Sequence, residues 1–422
     1  MPQSTGQYGW QPKNSRLLVT NNKNQPIGNS TLASTTPSVY KPPNATSIQI
    51  TFADGCISSF HGIWLRDHCR CSACFHQVTR QRLVDTTQIP LDIVPQDVSI
   101  IGDRVIIEWS NPSHTTELTL GWLRQHSYAP KLPIEPSLAQ PSVGSHFKLW
   151  DASIVDNLPT TPYADIMAGD DGLRHWLTNI DTYGIGFVSG VPVTAEATEK
   201  LGRRISFIRE THYGRFWDFS PNMEHGDTAY TSLGLGAHTD TTYFTDPIGL
   251  QLFHLLEHRG KGGESLYVDG FQIAAEMREK AHWAFEALTQ IPISAHSAGD
   301  EHTLMQPTPR LFRIIQLDAS GAPVQIRFNN NDRSVLDHLT GEEVERFYAA
   351  LHVWMRLVAT KRNEAWVSLK PGMAVMVDNW RVLHGRAAFT GFRRLVGSYH
   401  GWDDYRSCVK MVCDGGKAKH DL

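Results

Sequence analysis

The motif His238-Thr239-Asp240 and the distant His384 place the strongest constraint on how this chain can fold. Two imidazoles and one carboxylate can occupy one face of an octahedral metal site and leave the opposite face open. The two histidines are 146 positions apart, so the fold must bring a central and a C-terminal segment to one point. The pattern predicts a non-haem iron(II) site formed by His238, Asp240 and His384.

The segment around the first two ligands is expected to be a β-strand. Residues 236–244, Gly-Ala-His-Thr-Asp-Thr-Thr-Tyr-Phe, are rich in threonine and aromatic residues, which favour strands. Side chains two positions apart on a strand share a face, so His238 and Asp240 are expected to bind one ion together. The pair alone is weak evidence, because a chain with 20 histidines contains such pairs by chance.

Arg393, nine residues after His384, adds a second feature to this pattern. The planar guanidinium group suits a bidentate bond to the far carboxylate of a 2-oxo acid co-substrate. The alternative interpretation of Arg393 is a surface ion pair of little energetic value. Ser265, on an expected strand after two glycines, is a candidate for a hydroxyl donor to the same carboxylate; a surface hydroxyl is its alternative.

A second group of metal-ligating residues, Cys69, Cys71 and Cys74, lies within six residues. Three thiolates at this spacing suit tetrahedral zinc, which needs a fourth ligand. His76 is close in sequence, but His114 is the better candidate, because a structural zinc commonly ties a loop to a separate element. Three unrelated buried thiols are the alternative. With four protein ligands the site would be structural rather than catalytic.

Aromatic residues are concentrated just before the His-x-Asp motif, at Tyr213, Trp217 and Tyr230 among others. Aromatic faces that converge on one point can bind a quaternary ammonium group through cation–π attraction. An ordinary aromatic core is the simpler interpretation of the same residues. From these residues alone, both interpretations remain open.

Composition limits the classes of function. The formal net charge is −4 without a long basic run, which argues against a nucleic-acid partner. No apolar stretch approaches the roughly 20 residues that a membrane-spanning helix needs, so no membrane association is expected. The six cysteines are too few and too clustered for the disulfide framework of a secreted protein. A reducing compartment is therefore expected, and the prediction is a cytoplasmic protein.

The chain is expected to have three parts. Residues 1–45 are polar and lack periodicity, which predicts a disordered leader; the absence of acidic residues there makes a mitochondrial presequence the alternative. Residues 46–130 alternate in the manner of strands and predict a small zinc-binding β domain. After a proline-rich linker, residues 142–415 combine short strands with helices, one of which begins with the capping box Thr340–Glu343. This part is expected to be mainly β, with a double-sheet core and flanking helices, and no internal repeat is recognised.

With these motifs, the chain resembles the butyrobetaine and trimethyllysine hydroxylases, which are 2-oxoglutarate-dependent oxygenases of the taurine-dioxygenase-like superfamily. The resemblance runs from Ser47 to Asp404 and is carried by four long motifs. These are 62-GIWLRDHCRCSAC-74, 236-GAHTDTTYF-244, 326-IRFNNNDR-333 and 377-VDNWRVLHGR-386. The resemblance implies a double-stranded β-helix (jelly-roll) oxygenase core after a zinc-binding β domain, with His114 as the fourth zinc ligand.

The resemblance also implies roles for individual residues. Iron would be held by His238, Asp240 and His384, the far carboxylate of 2-oxoglutarate by Arg393, the trimethylammonium group by Tyr213, Trp217, Tyr230 and Tyr399, and the substrate carboxylate by Asn329. The runs 208-IRETHYGRFW-217 and 227-DTAYT-231 are more similar to the trimethyllysine enzymes. Butyrobetaine enzymes have an uncharged amide at the position of Asp227, whereas a carboxylate there can pair with the α-ammonium group of trimethyllysine.

The function implied by the resemblance is hydroxylation of N6,N6,N6-trimethyllysine at C3, the first step of carnitine biosynthesis. Iron(II), 2-oxoglutarate and O2 would be used, succinate and CO2 would be formed, and ascorbate would keep the iron reduced. The first alternative is a γ-butyrobetaine hydroxylase that forms carnitine. The second is a catalytically silent, zinc-organised binding protein. Relatives suggest a homodimer.

Overall fold

The computed structural model describes residues 36–110, 112–133, 147–219, 231–299 and 301–416. The chain forms two compact units, Met1–Leu138 and Ala139–Leu422. Most of the expected leader, residues 1–45, lies outside the described residues. Within the described ranges, no helix is both long and apolar enough to cross a membrane.

The described part of the first unit consists of short antiparallel strands, two short α-helices and a 3-10 helix at Thr86–Gln88. Its strands are β1 Ser38–Tyr40, β2 Ser47–Thr51, β3 Ile57–His61, β4 Phe75–His76, β5 Gln81–Arg82, β6 Pro95–Ile101, β7 Arg104–Ser110 and β8 Ser113–Thr119, and its helices are α1 Gly62–Asp67 and α2 Leu120–Gln125. Every second residue of β7, Val105, Ile107 and Trp109, is buried in one hydrophobic core. The sequence of residues 98–109 predicts two strands around the turn Gly102-Asp103, and β6 and β7 confirm this prediction. A third strand, β8, carries His114 opposite Trp109.

A motif that the sequence analysis missed, Trp-Leu-Arg-x-His, occurs once at α1 and once at α2. In each copy the histidine follows the helix, and its Nδ1 lies 2.7 Å (His68) or 2.8 Å (His126) from the carbonyl oxygen of the tryptophan four residues earlier. Each imidazole also packs on that tryptophan, at ring-centroid distances of 4.4 and 4.3 Å. The same short motif therefore forms the same local contact at the end of both helices.

The described part of the second unit contains twelve strands, seven α-helices and a 3-10 helix at Ala152–Asn157. Its strands are β9 Thr160–Pro162, β10 Ile185–Ser189, β11 Trp217–Phe219, β12 Leu235–His238, β13 Leu250–Gly262, β14 Ser265–Asp269, β15 Ile315–Leu317, β16 Pro323–Ile326, β17 Ala365–Val367, β18 Ala374–Asp378, β19 Val382–Arg386 and β20 Phe389–His400. Its helices are α3 Tyr163–Ala168, α4 Asp170–Tyr183, α5 Ala195–Arg203, α6 Gly270–Lys280, α7 His282–Gln290, α8 Gly341–Val358 and α9 Trp402–Val412.

Two sheets form the centre of this unit. The larger has the order β11-β20-β13-β18-β10-β9 and is mixed, because β9 is parallel to β10 while the other neighbours are antiparallel. The smaller is antiparallel, with the order β12-β19-β14-β17. Side chains of both sheets, among them Phe253 and Tyr267, form one buried layer. Helices α4, α5 and α9 pack on the larger sheet and α6, α7 and α8 on the smaller one. The predicted combination of sheets with flanking helices is confirmed.

The structure confirms some predicted helix boundaries and corrects others. Thr340 and Glu343 form the predicted capping box at the start of α8. The sequence from Thr194 to Glu210 predicts one helix with Thr194 as its N-cap. Thr194 caps α5 as predicted, but this helix ends at Arg203. The chain leaves the helix because residues 208–209 bond to β20, where the amide of Arg209 donates to the Tyr399 carbonyl at 2.8 Å.

Candidate active site

The register of two neighbouring strands brings the two expected histidine ligands together. His238, at the end of β12, lies directly opposite His384 on β19, and their rings are 4.7 Å apart between centroids. Oδ1 of Asp240 lies 3.2 Å from Nε2 of His238 and 3.7 Å from Nε2 of His384. One ligand atom from each of the three residues thus falls within 4.8 Å of the others, close enough to bind one metal ion.

Asp240 reaches this cluster from a turn and not from the strand predicted for residues 236–244. Strand β12 ends at His238, because the Thr239 amide donates to the Phe328 carbonyl at 2.7 Å and leaves the β12–β19 ladder. Thr241 then adopts a left-handed conformation with φ of 55°, which is unfavourable for a β-branched residue. The expected convergence of His238 and Asp240 is therefore found, but the local geometry that produces it was predicted wrongly.

Two side chains fix the orientation of Asp240. Oδ1 of Asn379 accepts from the Asp240 amide at 2.7 Å, and Nδ2 of Asn379 donates to the Asp240 carbonyl at 3.1 Å. The Tyr399 hydroxyl donates to Oδ2 of Asp240 at 3.2 Å, so Oδ1 is the oxygen that faces the imidazoles. Sequence reasoning missed Asn379, although it lies within the motif of residues 377–386. Such hydrogen bonds to a ligand hold it in the geometry that binds metal.

The protonation of the cluster is consistent with a divalent cation site. Nδ1 of His238 donates to the Gly236 carbonyl at 2.8 Å, which directs Nε2 towards Asp240. Burial alone would lower the pKa of His238, but the hydrogen bond and charge of Asp240 raise it to about 9. Burial opposes ionisation of Asp240, yet the two histidines hold its pKa well below the usual value. The pKa of His384 is lowered by burial. A metal ion can replace the proton that these groups share.

A cavity of about 740 Å³ connects this cluster with Arg393 on β20. Arg393 is only 5% exposed, and its Nε has no hydrogen-bond partner. Within the part of the chain that the structure describes, no carboxylate lies within 4 Å of Arg393. Burial lowers the pKa of its guanidinium group. A buried cation beside a metal-ligating cluster suits an anionic ligand, and Ser265 lines the same cavity as expected.

Close packing keeps the Arg393 side chain in position. Gly263 has φ of +78°, and a Cβ at this residue would lie 3.3 Å from Cδ of Arg393. The guanidinium group also lies 5.9 Å from the ring centre of Phe389. A larger residue at position 263 would both strain the backbone and push Arg393 aside.

The residues expected to form the ammonium cage fall in three places. Tyr213 lines the cavity, and its hydroxyl lies 2.8 Å from that of Tyr243, a cavity residue that sequence reasoning missed although it belongs to the motif of residues 236–244. Tyr399 also lines the cavity. Trp217 is 2% exposed in the buried layer, with its ring 5.9 Å from that of Tyr399. Tyr230, and with it Asp227, lies outside the described residues.

Asn329 lines the cavity and is held by its neighbours in sequence. Nδ2 of Asn329 donates to Oδ2 of Asp332 at 2.8 Å, and Oδ1 of Asn329 accepts from the Asn331 amide at 3.0 Å. Asp332 also lines the cavity and accepts from the Thr242 hydroxyl at 3.1 Å. Its charge contributes to the raised pKa of His238. Sequence reasoning did not single out Asp332, although the residue lies in the motif of residues 326–333.

In the first unit, the three expected thiols surround His114. Nε2 of His114 lies 3.2 Å from Sγ of Cys69, 3.7 Å from that of Cys71 and 3.5 Å from that of Cys74. Tetrahedral zinc with bonds of about 2.0–2.3 Å places its ligand atoms roughly 3.5 Å apart, so this cluster fits zinc. The other candidate, His76, is exposed and its Nδ1 accepts from the Thr79 amide. Nη1 of Arg66 donates to Sγ of Cys74 at 3.2 Å.

Comparisons with known proteins agree with this arrangement. The family of taurine catabolism dioxygenase TauD, TfdA matches residues 148–399, and the gamma-butyrobetaine hydroxylase-like N-terminal family matches residues 41–124. A trimethyllysine dioxygenase of Meyerozyma guilliermondii is 37% identical over 374 residues, 87% of this chain and 93% of that protein. A mitochondrial trimethyllysine dioxygenase of Rattus norvegicus is 39% identical over 361 residues, 84% of this chain and 83% of that protein. A gamma-butyrobetaine dioxygenase of a Pseudomonas species is 33% identical over 372 residues, 87% of this chain and 94% of that protein.

Proposed function

The chain belongs to the TauD, TfdA family of dioxygenases, and we propose that it hydroxylates N6,N6,N6-trimethyllysine at C3. The reaction uses iron(II), 2-oxoglutarate and O2 and gives 3-hydroxytrimethyllysine, succinate and CO2, as in the first step of carnitine biosynthesis. The proposal rests on the observation that His238, Asp240, His384 and the buried Arg393 all line the same cavity. The higher identity to trimethyllysine dioxygenases than to the butyrobetaine enzyme supports the choice of substrate.

In this proposal, His238, Asp240 and His384 hold iron(II). When bound, the metal supplies the activation of O2, coupled to the oxidative decarboxylation of 2-oxoglutarate. The protein contributes orientation. The Gly236 carbonyl accepts from Nδ1 of His238, so Nε2 of His238 is the nitrogen that faces the metal. The Tyr399 hydroxyl donates to Oδ2 of Asp240, so Oδ1 of Asp240 is the oxygen that faces the metal.

Arg393 and Ser265 hold the far carboxylate of 2-oxoglutarate. Support comes from the buried guanidinium group with an unpaired Nε, which gains a charge-assisted hydrogen bond when an anion binds. Ser265 stands at the start of β14, which pairs with the strand of His384. The two residues therefore lie on different strands of one cavity and fix the co-substrate between the metal ligands and Arg393.

The trimethylammonium group of the substrate is held by Tyr213, Trp217, Tyr230 and Tyr399, through cation–π attraction without a hydrogen bond. Asn329 holds the substrate carboxylate, and Asp227 pairs with the α-ammonium group. The hydroxyl pair of Tyr213 and Tyr243 supports the first assignment, because it fixes the Tyr213 ring at the cavity wall. Contacts at both ends of the substrate present its C3 to the metal.

We also propose two finer features of the fold, which the resemblance implies. The two facing sheets form a double-stranded β-helix, or jelly-roll, core within an oxygenase domain of residues 142–415. Residues 46–130 form a zinc-binding β domain, with zinc held by Cys69, Cys71, Cys74 and His114 as a structural ion.

Three further features of the proposal concern the conditions of activity. Ascorbate keeps the iron reduced between turnovers, and the active form is a homodimer. The rat relative is named a mitochondrial enzyme, which supports the mitochondrial alternative over the cytoplasmic location predicted from composition.

The test is to incubate the purified protein with iron(II), 2-oxoglutarate and either trimethyllysine or γ-butyrobetaine, and to measure succinate. We expect succinate with trimethyllysine at a higher kcat/KM than with γ-butyrobetaine. The variant His384→Ala, which lacks one metal ligand, serves as the control without turnover. A preference for γ-butyrobetaine would favour the first alternative, and no turnover with either compound would support the silent binding protein.

A further inference from the structure

We propose that Asn329 and Asp332 together form a clamp for the α-amino acid head group of the substrate, in which Asp332 accepts from the α-ammonium group. This inference rests on the proposed function and deepens it. It identifies a residue that lets the protein distinguish an α-amino acid such as trimethyllysine from butyrobetaine. Butyrobetaine has a carboxylate but no ammonium group on the adjacent carbon.

The clamp consists of a hydrogen-bond donor and a carboxylate held side by side. Nδ2 of Asn329 lies 2.8 Å from Oδ2 of Asp332, and the Asn331 amide donates to Oδ1 of Asn329 at 3.0 Å. These two bonds fix which end of the amide is the donor. Because an amide nitrogen carries two hydrogens, Nδ2 retains one for a substrate carboxylate. An α-amino acid presents the complementary pair, a carboxylate and an ammonium group on one carbon.

The clamp lies where the chemistry requires it. C3 of the substrate is bonded directly to the carbon that carries both head groups, so the clamp must be next to the metal ligands. Phe328, the neighbour of Asn329, accepts from the Thr239 amide at 2.7 Å, and Thr239 stands between His238 and Asp240. All of the residues of the clamp and of the metal cluster line the same cavity.

Hydrogen bonds fix Asp332 against the turn that contains Asp240 and Thr242. The Thr242 hydroxyl donates to Oδ2 of Asp332 at 3.1 Å, and the His296 amide donates to its carbonyl at 2.9 Å. The side chain is therefore positioned before the substrate arrives, which reduces the entropic cost of binding.

The expected effect follows from the charges. A hydrogen bond between two charged groups contributes enough to change affinity by about 10- to 100-fold. A ligand without the α-ammonium group offers Asp332 no hydrogen-bond donor, and its own negatively charged carboxylate lies near the carboxylate of Asp332. We therefore expect discrimination by affinity, because the head group is not itself changed in the reaction.

The experiment compares trimethyllysine with 6-(trimethylammonio)hexanoate, which has the same chain and carboxylate but lacks the α-ammonium group. Binding of each compound to the Mn(II)- and 2-oxoglutarate-loaded protein is measured by calorimetry, and KM and kcat are measured with iron(II). We expect the wild-type protein to bind trimethyllysine at least about 10-fold more tightly. In Asp332→Asn, trimethyllysine should bind about 10- to 100-fold more weakly, while binding of the analogue changes little.

The variant Asp332→Asn keeps an oxygen that can accept from Thr242 and Asn329, and its melting temperature is measured first. Asp337→Asn is the matched control, because Asp337 is 60% exposed and pairs with Arg310 on the surface. Equal weakening of both ligands would show that Asp332 only orients Asn329 and would overturn the proposal. Equal affinity of the wild-type protein for both ligands would overturn it independently of any variant. Turnover tests the proposed function and the ratio of affinities tests the clamp, so the two can fail separately.

Discussion

Replacement of Arg393 by methionine should stabilise the protein and at the same time weaken its binding of 2-oxoglutarate roughly 100-fold. Arg393 is 5% exposed, its Nε has no partner, and its guanidinium lies 5.9 Å from the Phe389 ring. An unsatisfied buried donor costs about 1–3 kcal/mol, and the cation–π contact returns at most about 1 kcal/mol. Methionine fills a similar volume without a donor, so the co-substrate-free variant should gain roughly 1–2 kcal/mol.

The loss of co-substrate affinity should be larger than this gain. Two charge-assisted hydrogen bonds to a carboxylate contribute about 3 kcal/mol, which is roughly a 100-fold change in Kd. Saturating 2-oxoglutarate should raise the melting temperature of the wild-type protein but not that of Arg393→Met. Without 2-oxoglutarate, the variant should melt roughly 2–8 °C higher, because 1 kcal/mol corresponds to about 2–4 °C for a unit of this size.

The assay is thermal unfolding with and without 2-oxoglutarate, together with calorimetric titration of the co-substrate. Arg394→Met is the matched control, because Arg394 is the next residue, with its side chain 42% exposed and paired with Asp218 at 2.6 Å. A pair of this kind contributes at most about 1 kcal/mol, and its loss should leave 2-oxoglutarate binding unchanged. If Arg393→Met melted lower than the wild type without co-substrate and still bound 2-oxoglutarate, Arg393 would be a structural residue and the reasoning would be refuted.

Three further predictions concern stability. In Cys74→Ser, the bound zinc measured by atomic emission should fall from stoichiometric to near zero, with a lower melting temperature; unchanged zinc content would exclude the cluster as the zinc site. Burial lowers the pKa of His400 to about 4, whereas the unfolded value is about 6.5, so the unfolded chain binds more protons between these pH values. The free energy of unfolding should therefore fall by about 3 kcal/mol as the pH drops from 6.5 to 4. Urea unfolding measured at several pH values should show a smaller fall for His400→Gln. The same fall in the variant as in the wild type would exclude His400 as its cause. Asp269 and Arg381 are fully buried and 2.8 Å apart, so Asp269→Leu should cost about 3–5 kcal/mol in urea unfolding, and the double variant with Arg381→Met should cost less; additive costs would contradict this.

The sequence predicts well which candidate ligands meet, because ligand chemistry is expressed in residue type and spacing. The thiols at 69, 71 and 74 lie in one loop, and their separation leaves little freedom in how they can be arranged. The capping box of Thr340 and Glu343 is equally local and is found as predicted. The meeting of His238 and His384 could be inferred from metal chemistry, although the strand register that produces it could not.

Features that depend on contacts between distant segments were not predicted. The departure of Asp240 from the strand results from bonds between Thr239 and Phe328, which are 89 positions apart. Likewise, α5 ends early because the following residues pair with β20. Tyr399 was expected in the ammonium cage, and its hydroxyl also donates to Asp240, a contact that nothing local in the sequence predicts. Asn379 and Asp332 lie within recognised motifs, yet their partners become evident only in the folded chain.

The most direct test of the proposed hydroxylation is to follow the two atoms of O2 into the products. The protein is incubated with trimethyllysine, iron(II), 2-oxoglutarate and ¹⁸O₂, and the products are analysed by mass spectrometry and NMR. We expect one labelled oxygen in succinate and one in a hydroxyl group at C3 of trimethyllysine, in equal amounts. Labelled succinate without hydroxylated trimethyllysine, or a hydroxyl group at another carbon, would contradict the proposed function.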